Sequence, residues 1–369
     1  MSLDLIQQTL LSNLNILWPI LMALIVGAGV LTGVPIMVMV ERWGSAWMQR
    51  RSGPNRVGPK GILQPIADAI KFAFKEENLP AKAHKWLFTL APALAVLPPL
   101  VAFSVIPVAG SVNISGVEYP VQVADIKVSL LFLLAITSLH VFSVLCAGWS
   151  SNNKFSLFGA LRSSSQMISY EIAIGICIVS LVITYGTLDL REIVRLQEAG
   201  SDFPAWGLFM QPLAFFILWV CSFAETNRLP FDLPEGESEL VAGYHTEYSG
   251  FKFALFFMGE YAAMFTAAAF LATLFLGGYN IPFVSESALR EFFLGHGLEL
   301  TAASIATCLL QALSFVVKVF FFMWVFVWVR WTLPRFRYDQ LMQLGWKTLL
   351  PLGILNVFVS FLLSFWRGL

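Results

Sequence analysis

Long apolar stretches recur along the whole chain, separated by polar connections. A helix needs about 20 mainly apolar residues to cross the hydrocarbon core of a membrane. Eight stretches meet that requirement, at approximately residues 17–40, 86–107, 128–149, 168–185, 205–224, 251–276, 303–329 and 346–366. The alternating ten-residue segments of a membrane β-barrel are absent, and helices satisfy their own backbone groups in lipid. The pattern therefore predicts an all-α, polytopic membrane protein in which residues 1–369 form a single membrane domain.

A shorter amphipathic segment lies in the connection after the first predicted span. In GILQPIADAIKFAFKEE (61–77), apolar residues recur at helical spacing, opposite Asp68, Lys71 and Lys75. The segment is too short and too charged to cross the membrane. Two interpretations stay open: a helix that lies in the membrane interface, and an ordinary loop helix that covers the bundle.

Composition and charge agree with a membrane location. Apolar residues make up 57% of the chain and charged residues 12%, whereas a soluble protein carries about 25% charged residues. The zero net charge argues against a nucleic-acid partner held by bulk electrostatics. Of the 23 Lys and Arg residues, 17 lie in or beside the loops on one side of the eight spans, and five lie on the other. The positive-inside rule therefore predicts that both termini face outward, to the periplasm.

Motifs for redox cofactors and metals are missing. The four cysteines each lie inside an apolar run and none has CxxC spacing, so neither an iron–sulfur cluster nor a zinc site is predicted. No Gly-rich dinucleotide loop, phosphate-binding loop or paired-histidine haem arrangement occurs. We therefore expect no catalytic residue, metal or redox centre within this chain.

Ionisable residues inside predicted spans are candidates for function because they are costly in hydrocarbon. Glu260 lies near the middle of its span, and Lys318 lies at a similar estimated depth, so the two could be in contact or could each face water. Glu171 lies about one turn below the surface. For Glu171 and Glu260, proton exchange is favoured over a purely structural pairing. His140 is interpreted as a packed and hydrogen-bonded histidine.

An acidic stretch, residues 225–248, breaks the charge rule on the basic side of the membrane. It carries one arginine, Arg228, and six carboxylates: Glu225, Asp232, Glu235, Glu237, Glu239 and Glu247. A solvated acidic loop is one interpretation. The other is a partly buried chain of carboxylates and water that leads toward Glu171 and Glu260. The residues alone do not decide between them.

Four blocks of sequence, in this order along the chain, resemble the signature segments of one family. They are ERWGSAWMQRRSGPNRVGPKGILQPIADAIK, AGWSSNNKFSLFGALRSSSQMISYE, ETNRLPFDLPEGESELVAGYHTEYSGFKFALFFMGEY and RWTLPRFRYDQLM. The chain resembles the family of membrane subunits called H in bacterial NADH:quinone oxidoreductase (respiratory complex I), the counterpart of mitochondrial subunit 1. The resemblance runs from about Trp18 to Trp366 and implies eight spans with outward termini in a bacterial inner membrane.

The resemblance implies a subunit that joins the hydrophilic redox arm to the proton-pumping membrane arm. Quinone, with ubiquinone as the expected species, is then the substrate, while NADH, FMN and the iron–sulfur clusters belong to partner subunits. The chain would form the entrance and part of the wall of the quinone chamber, with these residues: Arg42, Arg51, Arg56, Asp68, Phe223 and Arg228. Coupling to proton translocation would use Glu41, Glu171, Glu225, Asp232, Glu235, Glu237, Glu239, Glu247 and Glu260, with Lys318 as a charged partner at mid-membrane depth.

Four positions depart from what the resemblance leads us to expect: His140, Gly250, Phe251 and Gly259. They bear on the packing near Glu260.

A homologous membrane subunit of a hydrogenase-, F420- or ferredoxin-linked complex is an alternative function, and the basic loop with its amphipathic helix favours the quinone enzyme. A stand-alone ion-coupled secondary transporter is more distant, because no similarity between the two halves is evident.

Overall fold

The computed structural model describes residues 3–114, 116–198, 206–233 and 241–367, and side chains from residue 14 to residue 366 within those ranges. Three predicted site residues, Glu235, Glu237 and Glu239, therefore lie outside the described residues. The helices are α1 Leu3–Met48, α2 Gln64–Phe74, α3 Lys85–Phe103, α4 Ser129–Thr137, α5 Leu139–Ser150, α6 Lys154–Tyr185, α7 Leu190–Glu198, α8 Gly207–Met210, α9 Pro212–Glu225, α10 Gly250–Phe275, α11 Glu286–Gly295, α12 Leu300–Thr332, α13 Tyr338–Gln343 and α14 Leu350–Arg367.

Shorter elements connect these helices. Single 3-10 turns occupy Pro59–Gly61 and Gly243–His245, and a π-helical turn over Leu344–Leu349 joins α13 to α14. The strands β1 Ser111–Ile114 and β2 Val117–Pro120 form an antiparallel hairpin, in which Val112 is opposite Tyr119. Helices thus make up nearly all of the regular structure among the described residues.

Seven helices or helix pairs in the described part of the chain are long and apolar enough to cross a membrane. They cover Leu14–Met48, Lys85–Phe103, Ser129–Ser150, Lys154–Tyr185, Gly250–Phe275, Leu300–Thr332 and Tyr338–Trp366. The predicted all-α, polytopic membrane fold is confirmed. The third predicted span is formed by α4 and α5, which a single residue, Ser138, separates.

The fifth predicted span, 205–224, is built differently from the other seven. It consists of the short α8 followed by α9, and α9 has 14 residues, about 21 Å of helix. A hydrocarbon core is about 30 Å thick, so α9 alone is too short to cross it. The eighth crossing stays a prediction that would need α8 and α9 together.

The break between α8 and α9 is held by a buried polar cluster. The Gln211 side chain donates to the hydroxyls of Thr184 (2.7 Å) and Ser360 (2.8 Å) and accepts from Asn356 (3.0 Å). Pro212 then starts α9 at a position where a helix does not need the missing N–H. Irregular backbone in lipid is tolerated when neighbouring helices supply its polar partners, and α6 and α14 supply them here.

Helix α10 lies at the centre of the bundle, packed against α3, α12, α1 and α9. Gly259 permits its close approach to α3, because a Cβ atom at this position would lie 2.6 Å from the backbone oxygen of Ala95. Around α10, one large apolar cluster contains residues from almost every long helix. The outer faces of α1 and α14 remain apolar and exposed, as helices that face lipid are.

The predicted amphipathic segment forms α2, which has no buried residue. Its apolar residues Ile66, Ile70 and Phe74 are all more than half exposed. A row of exposed apolar side chains is costly in water, so this face favours the membrane interface over a water-facing loop. Asp68, on the other side of α2, reaches back to Arg42 at the end of α1, with an Nη1–Oδ2 distance of 2.6 Å.

Candidate functional site

The turn that follows α9 is fixed in place by one face of α6. Gln166 donates to the backbone oxygens of Ala224 and Phe231, both at 2.8 Å, and Ser163 donates to the Asn227 side chain at 3.1 Å. Asn227 has a positive φ of 49°, a conformation that asparagine tolerates better than most residues. These bonds set the direction of the residues on either side, so Glu225 and Arg228 point to different parts of the interior.

A cluster of buried charges, the Glu41 cluster, lies where α1, α10, α12 and this turn meet. Tyr261 and Arg330 both donate short hydrogen bonds to the Glu41 carboxylate. Arg228 lies 3.7 Å from the same carboxylate and stacks over the Tyr261 ring at 4.2 Å. Buried ion pairs are stable only when each charge finds good partners, and four elements contribute them here.

Arg228 stays charged although it is 4% exposed. Burial by itself would lower the pKa of its guanidinium, but Tyr261, Glu41 and Glu260 act in the opposite direction and raise the pKa above its usual value. The Nε and Nη2 atoms of Arg228 are buried with no hydrogen-bond partner among the described residues. The Glu41 cluster therefore contains a permanent positive charge, and two of its N–H donor atoms have no hydrogen-bond partner among the described residues.

Glu260 precedes Tyr261 on α10 and faces the loop from residue 241 to residue 248. The Tyr244 hydroxyl donates to its carboxyl group at 3.2 Å, and His245 Nε2 lies 3.8 Å away. Both Glu260 and His245 are less than 9% exposed. Since Arg228 interacts electrostatically with Glu41 and Glu260, the described end of the acidic stretch is continuous with the Glu41 cluster.

Two further predicted acidic residues are paired at the same end of the bundle. Asp232 is buried and accepts from Arg335, which follows α12, at 3.1 Å. Glu247 accepts from Asn153, the N-cap residue of α6, at 2.6 Å. Among the described residues, the acidic stretch is thus a set of paired carboxylates rather than a solvated loop.

Glu225 lies on the other side of the turn and lines a partly open cavity between α3, α4, α5, α6, α9 and α10. The cavity has about 40 Å³ open to the centres of water molecules. Thr137, at the end of α4, is hydrogen-bonded to the Glu225 carboxyl group. Glu171, on α6, is close enough to Glu225 for the two carboxyl groups to interact electrostatically. His140 also lines the cavity.

Lys318 does not pair with Glu260. Its Nζ atom donates to three backbone oxygens just after α10, those of Leu276 (2.7 Å), Gly278 (2.9 Å) and Asn280 (2.5 Å), and lies over the Trp206 ring. Leu276 is 16 residues beyond Glu260, about 24 Å along a helix. The depth estimated from sequence was wrong because Arg330, 12 residues after Lys318, does not lie at the level where α10 begins. Arg330 bonds the same Glu41 carboxylate as Tyr261, the residue after Glu260. Lys318 instead neutralises the negative C-terminal end of α10.

The other predicted chamber residues occupy three different environments. Arg51 and Arg56 are exposed in the basic loop between α1 and α2. Phe223 is buried in the apolar core, with its ring centroid 4.2 Å from that of Phe326. Arg42 is tied to Asp68, as described above. A role in the quinone chamber stays a prediction for these residues.

Several partners of the predicted residues are evident only in the structure. In the sequence, Arg330 and Arg335 are two of the basic loop charges, whereas in the structure each pairs with a buried carboxylate. Tyr244 and His245 lie within the acidic stretch, and their aromatic rings were the available sign that this segment packs inside. Thr137 carried no signal in the sequence, because a threonine in an apolar helix is common and mostly bonds its own backbone.

Comparison with known proteins places the whole bundle in one group. A family model described as NADH dehydrogenase matches residues 20–361. The H subunit of the NADH-quinone oxidoreductase of Bdellovibrio bacteriovorus is 47% identical over an alignment of 349 residues, and the match covers 89% of this chain and 91% of that protein. Subunit 8 of the enzyme of Rhodothermus marinus is 47% identical over 345 residues, 94% of this chain and 96% of that protein. The matched range includes the Glu41 cluster and the Glu225 cavity.

Proposed function

The chain belongs to the NADH dehydrogenase family, and from that membership we propose that it is a membrane subunit of a proton-translocating NADH:quinone oxidoreductase of a bacterial inner membrane. In this proposal it forms the quinone entrance and part of the chamber wall, together with peripheral subunits. NADH, FMN and the iron–sulfur clusters are held by partner subunits. This chain supplies no catalytic residue and couples quinone reduction to proton movement.

The entrance is assigned to the end of α1 and to α2. The apolar face of α2, with Ile66, Ile70 and Phe74, suits a position at the membrane surface, where a lipid-soluble quinone arrives. The Arg42–Asp68 pair holds α2 against α1. The exposed Arg51 and Arg56 lie in the adjoining loop, where they suit contacts with peripheral subunits.

The Glu41 cluster is the observation that carries the coupling role. Reduction of a quinone to a quinol takes up two electrons and two protons, so it changes the charge and proton demand near the chamber. In the cluster, the Glu41 carboxylate interacts with two guanidinium groups, those of Arg228 and Arg330, and Arg228 also interacts electrostatically with Glu260. Such coupled groups respond to a new charge as a unit, by changing partners or protonation together.

The turn from Glu225 to Arg228 joins this response to the membrane interior. Arg228 interacts with the Glu41 cluster, and three residues earlier Glu225 lines the cavity and interacts with Glu171. A displacement of Arg228 therefore acts on Glu225 through a turn that Gln166 holds rigid. From Glu225 and Glu171 the signal would pass to the antiporter-like partner subunits.

Substitution of Glu225 tests the coupling role. In assembled complex, Glu225→Gln is expected to lower NADH:quinone activity and proton pumping about ten-fold or more, while electron transfer to a hydrophilic artificial acceptor keeps its normal rate. Glu77→Gln is the matched control, because Glu77 is an exposed carboxylate paired with Lys252 at 3.0 Å. Wild-type quinone reduction and pumping in an assembled Glu225→Gln complex would refute the coupling role.

The NADH donor is favoured by the comparison, since the relatives described above are named as NADH-quinone oxidoreductase subunits. A hydrogenase- or ferredoxin-linked complex would share the cluster but not the donor. Purification of the complex with its partner subunits distinguishes the two, because only the proposed enzyme copurifies with an NADH-oxidising flavoprotein activity.

A further inference from the structure

His140 lies in the wall of the Glu225 cavity with one ring nitrogen unpaired. The side chain is 6% exposed, and its Nδ1 atom is buried with no hydrogen-bond partner among the described residues. A buried polar atom without a partner is uncommon in native proteins and calls for an explanation. His140 is packed and hydrogen-bonded, as expected, but among the described residues only one of its two ring nitrogens has a partner.

The other half of the ring is fixed by a proline on α3. Pro99 has no N–H, so the backbone oxygen of Ala95, four residues earlier, has no donor within its own helix. The His140 ring is hydrogen-bonded to that backbone oxygen. Since Nδ1 is the unpaired atom, Nε2 is the nitrogen that carries the proton toward Ala95. Nδ1 is then a proton acceptor held in a fixed direction.

The cavity has the size and the polarity to hold water. A volume of 40 Å³ open to water centres has room for about two or three molecules. The hydroxyls of Ser222, Thr226 and Thr266 in its wall donate their protons to backbone oxygens. These hydroxyls can therefore act only as acceptors toward the cavity, as can His140 Nδ1. A wall rich in acceptors is satisfied by water, which supplies two donors.

We propose that His140 is a proton-relay residue that exchanges protons with Glu225 through water held in this cavity. A protonated Glu225 gives its proton to a cavity water, and that water passes one of its own protons to Nδ1, which leaves a carboxylate and an imidazolium. The reverse transfer restores the starting state, and no electrons move. The inference rests on the proposed function, because it extends the acidic path by one residue.

Few other titratable groups act on this pair. Among the described residues that line the cavity, Glu225 and His140 are the titratable ones, on α9 and α5. Outside the cavity lining, Glu171 on α6 and Cys221 on α9 interact electrostatically with Glu225. The walls from α3, α4, α6 and α10 contribute apolar side chains and hydroxyls. Within the described lining, proton exchange through cavity water therefore involves Glu225 and His140.

The test compares His140→Gln with Glu225→Gln and the double variant in the assembled complex. Glutamine keeps a donor for the Ala95 oxygen but cannot carry a proton at neutral pH. His140→Gln is expected to lower coupled NADH:quinone turnover about ten-fold, to change its pH profile and to increase its solvent deuterium isotope effect. The exposed His296 provides a matched control, His296→Gln. Because both residues serve one path, the double variant should lose no more than Glu225→Gln alone.

A second variant removes the water and leaves both titratable residues in place. Ala267 lines the cavity, and Ala267→Leu should fill it and reproduce the loss seen with His140→Gln. Wild-type turnover and pH profile in His140→Gln, or in Ala267→Leu, would overturn the inference while Glu225→Gln remained impaired. Wild-type activity in Glu225→Gln would instead refute the proposed function, which separates the two failures. Additive losses in the double variant would also overturn the relay.

Discussion

At the residue scale, the Glu41 carboxylate is the point where the buried charges meet. It is 6% exposed and receives Tyr261, Arg330 and Arg228 from three different elements. Removal of one member of a buried ion pair leaves the remaining charge without compensation, which costs more than the pair itself contributes. Each member of the cluster should therefore matter for stability as well as for coupling.

Glu41→Ala is expected to destabilise the subunit by about 3–5 kcal/mol, because Arg228 would remain buried without its main partner. Tyr261→Phe removes one donor and is expected to cost less, about 1–3 kcal/mol. Thermal unfolding of the purified complex measures both changes. Arg337→Ala is the control, because the Arg337–Asp339 pair is mostly exposed and contributes about 0–1 kcal/mol. Equal stability of Glu41→Ala and the control would contradict this prediction.

At the scale of secondary-structure elements, prolines and glycines within the helices create polar contacts inside the bundle. The prolines of α3 free backbone oxygens inside the bundle, and the freed oxygen of Ala95 is approached by His140 from α5 and by Gly259 from α10. Two departures from the resemblance, His140 and Gly259, therefore meet at one backbone atom. Gly250, a third departure, has a positive φ of 59° at the start of α10, which glycine adopts without strain.

The clamp between α6 and the turn after α9 gives an element-scale prediction. Gln166→Ala would remove one donor from each of the backbone oxygens of Ala224 and Phe231, which would keep backbone N–H donors from Asn227 and Leu233. Each lost hydrogen bond is expected to cost about 0.5–1.5 kcal/mol. We expect lower thermal stability of the subunit together with lower quinone activity, since Glu225 and Arg228 lose their fixed directions. Ser165→Ala serves as the control, because the exposed Ser165 hydroxyl donates to the backbone oxygen of Leu161 in its own helix. A normal melting temperature and normal activity in Gln166→Ala would show that the turn does not depend on this clamp.

At the scale of the whole molecule, the number of membrane crossings decides which side each terminus faces. Seven long helices or helix pairs give an odd number of crossings, and α8 with α9 would make it even. The distribution of Lys and Arg predicts that both termini face the periplasm. An odd number of crossings would place the termini on opposite sides, so both can face the periplasm only if α8 and α9 together cross the membrane.

Reporter fusions at the C-terminus test this topology. Alkaline phosphatase, which is active only in the periplasm, should be active there, while a fluorescent protein that folds only in the cytoplasm should be dark. A phosphatase fused after residue 152, between α5 and α6, should be inactive whether or not the segment 207–225 crosses, and provides the control. An inactive C-terminal phosphatase with a bright fluorescent fusion would mean that the segment 207–225 does not cross.

The sequence by itself determined the fold class, the approximate positions of the spans and the amphipathic helix α2, because hydrophobic length and helical periodicity are local properties. It also singled out the acids Glu171 and Glu260 as unusual, because a carboxylate in an apolar segment is costly wherever the helix packs.

Only the tertiary structure decided which groups face one another. Glu41 and Arg330 are 289 residues apart in the chain, and Lys318 lies beside backbone oxygens instead of Glu260. Such pairings depend on helix tilt, on breaks such as Gln211 and on close approaches such as Gly259. These features arise from packing between distant segments, so a sequence pattern read along one helix contains no measure of them.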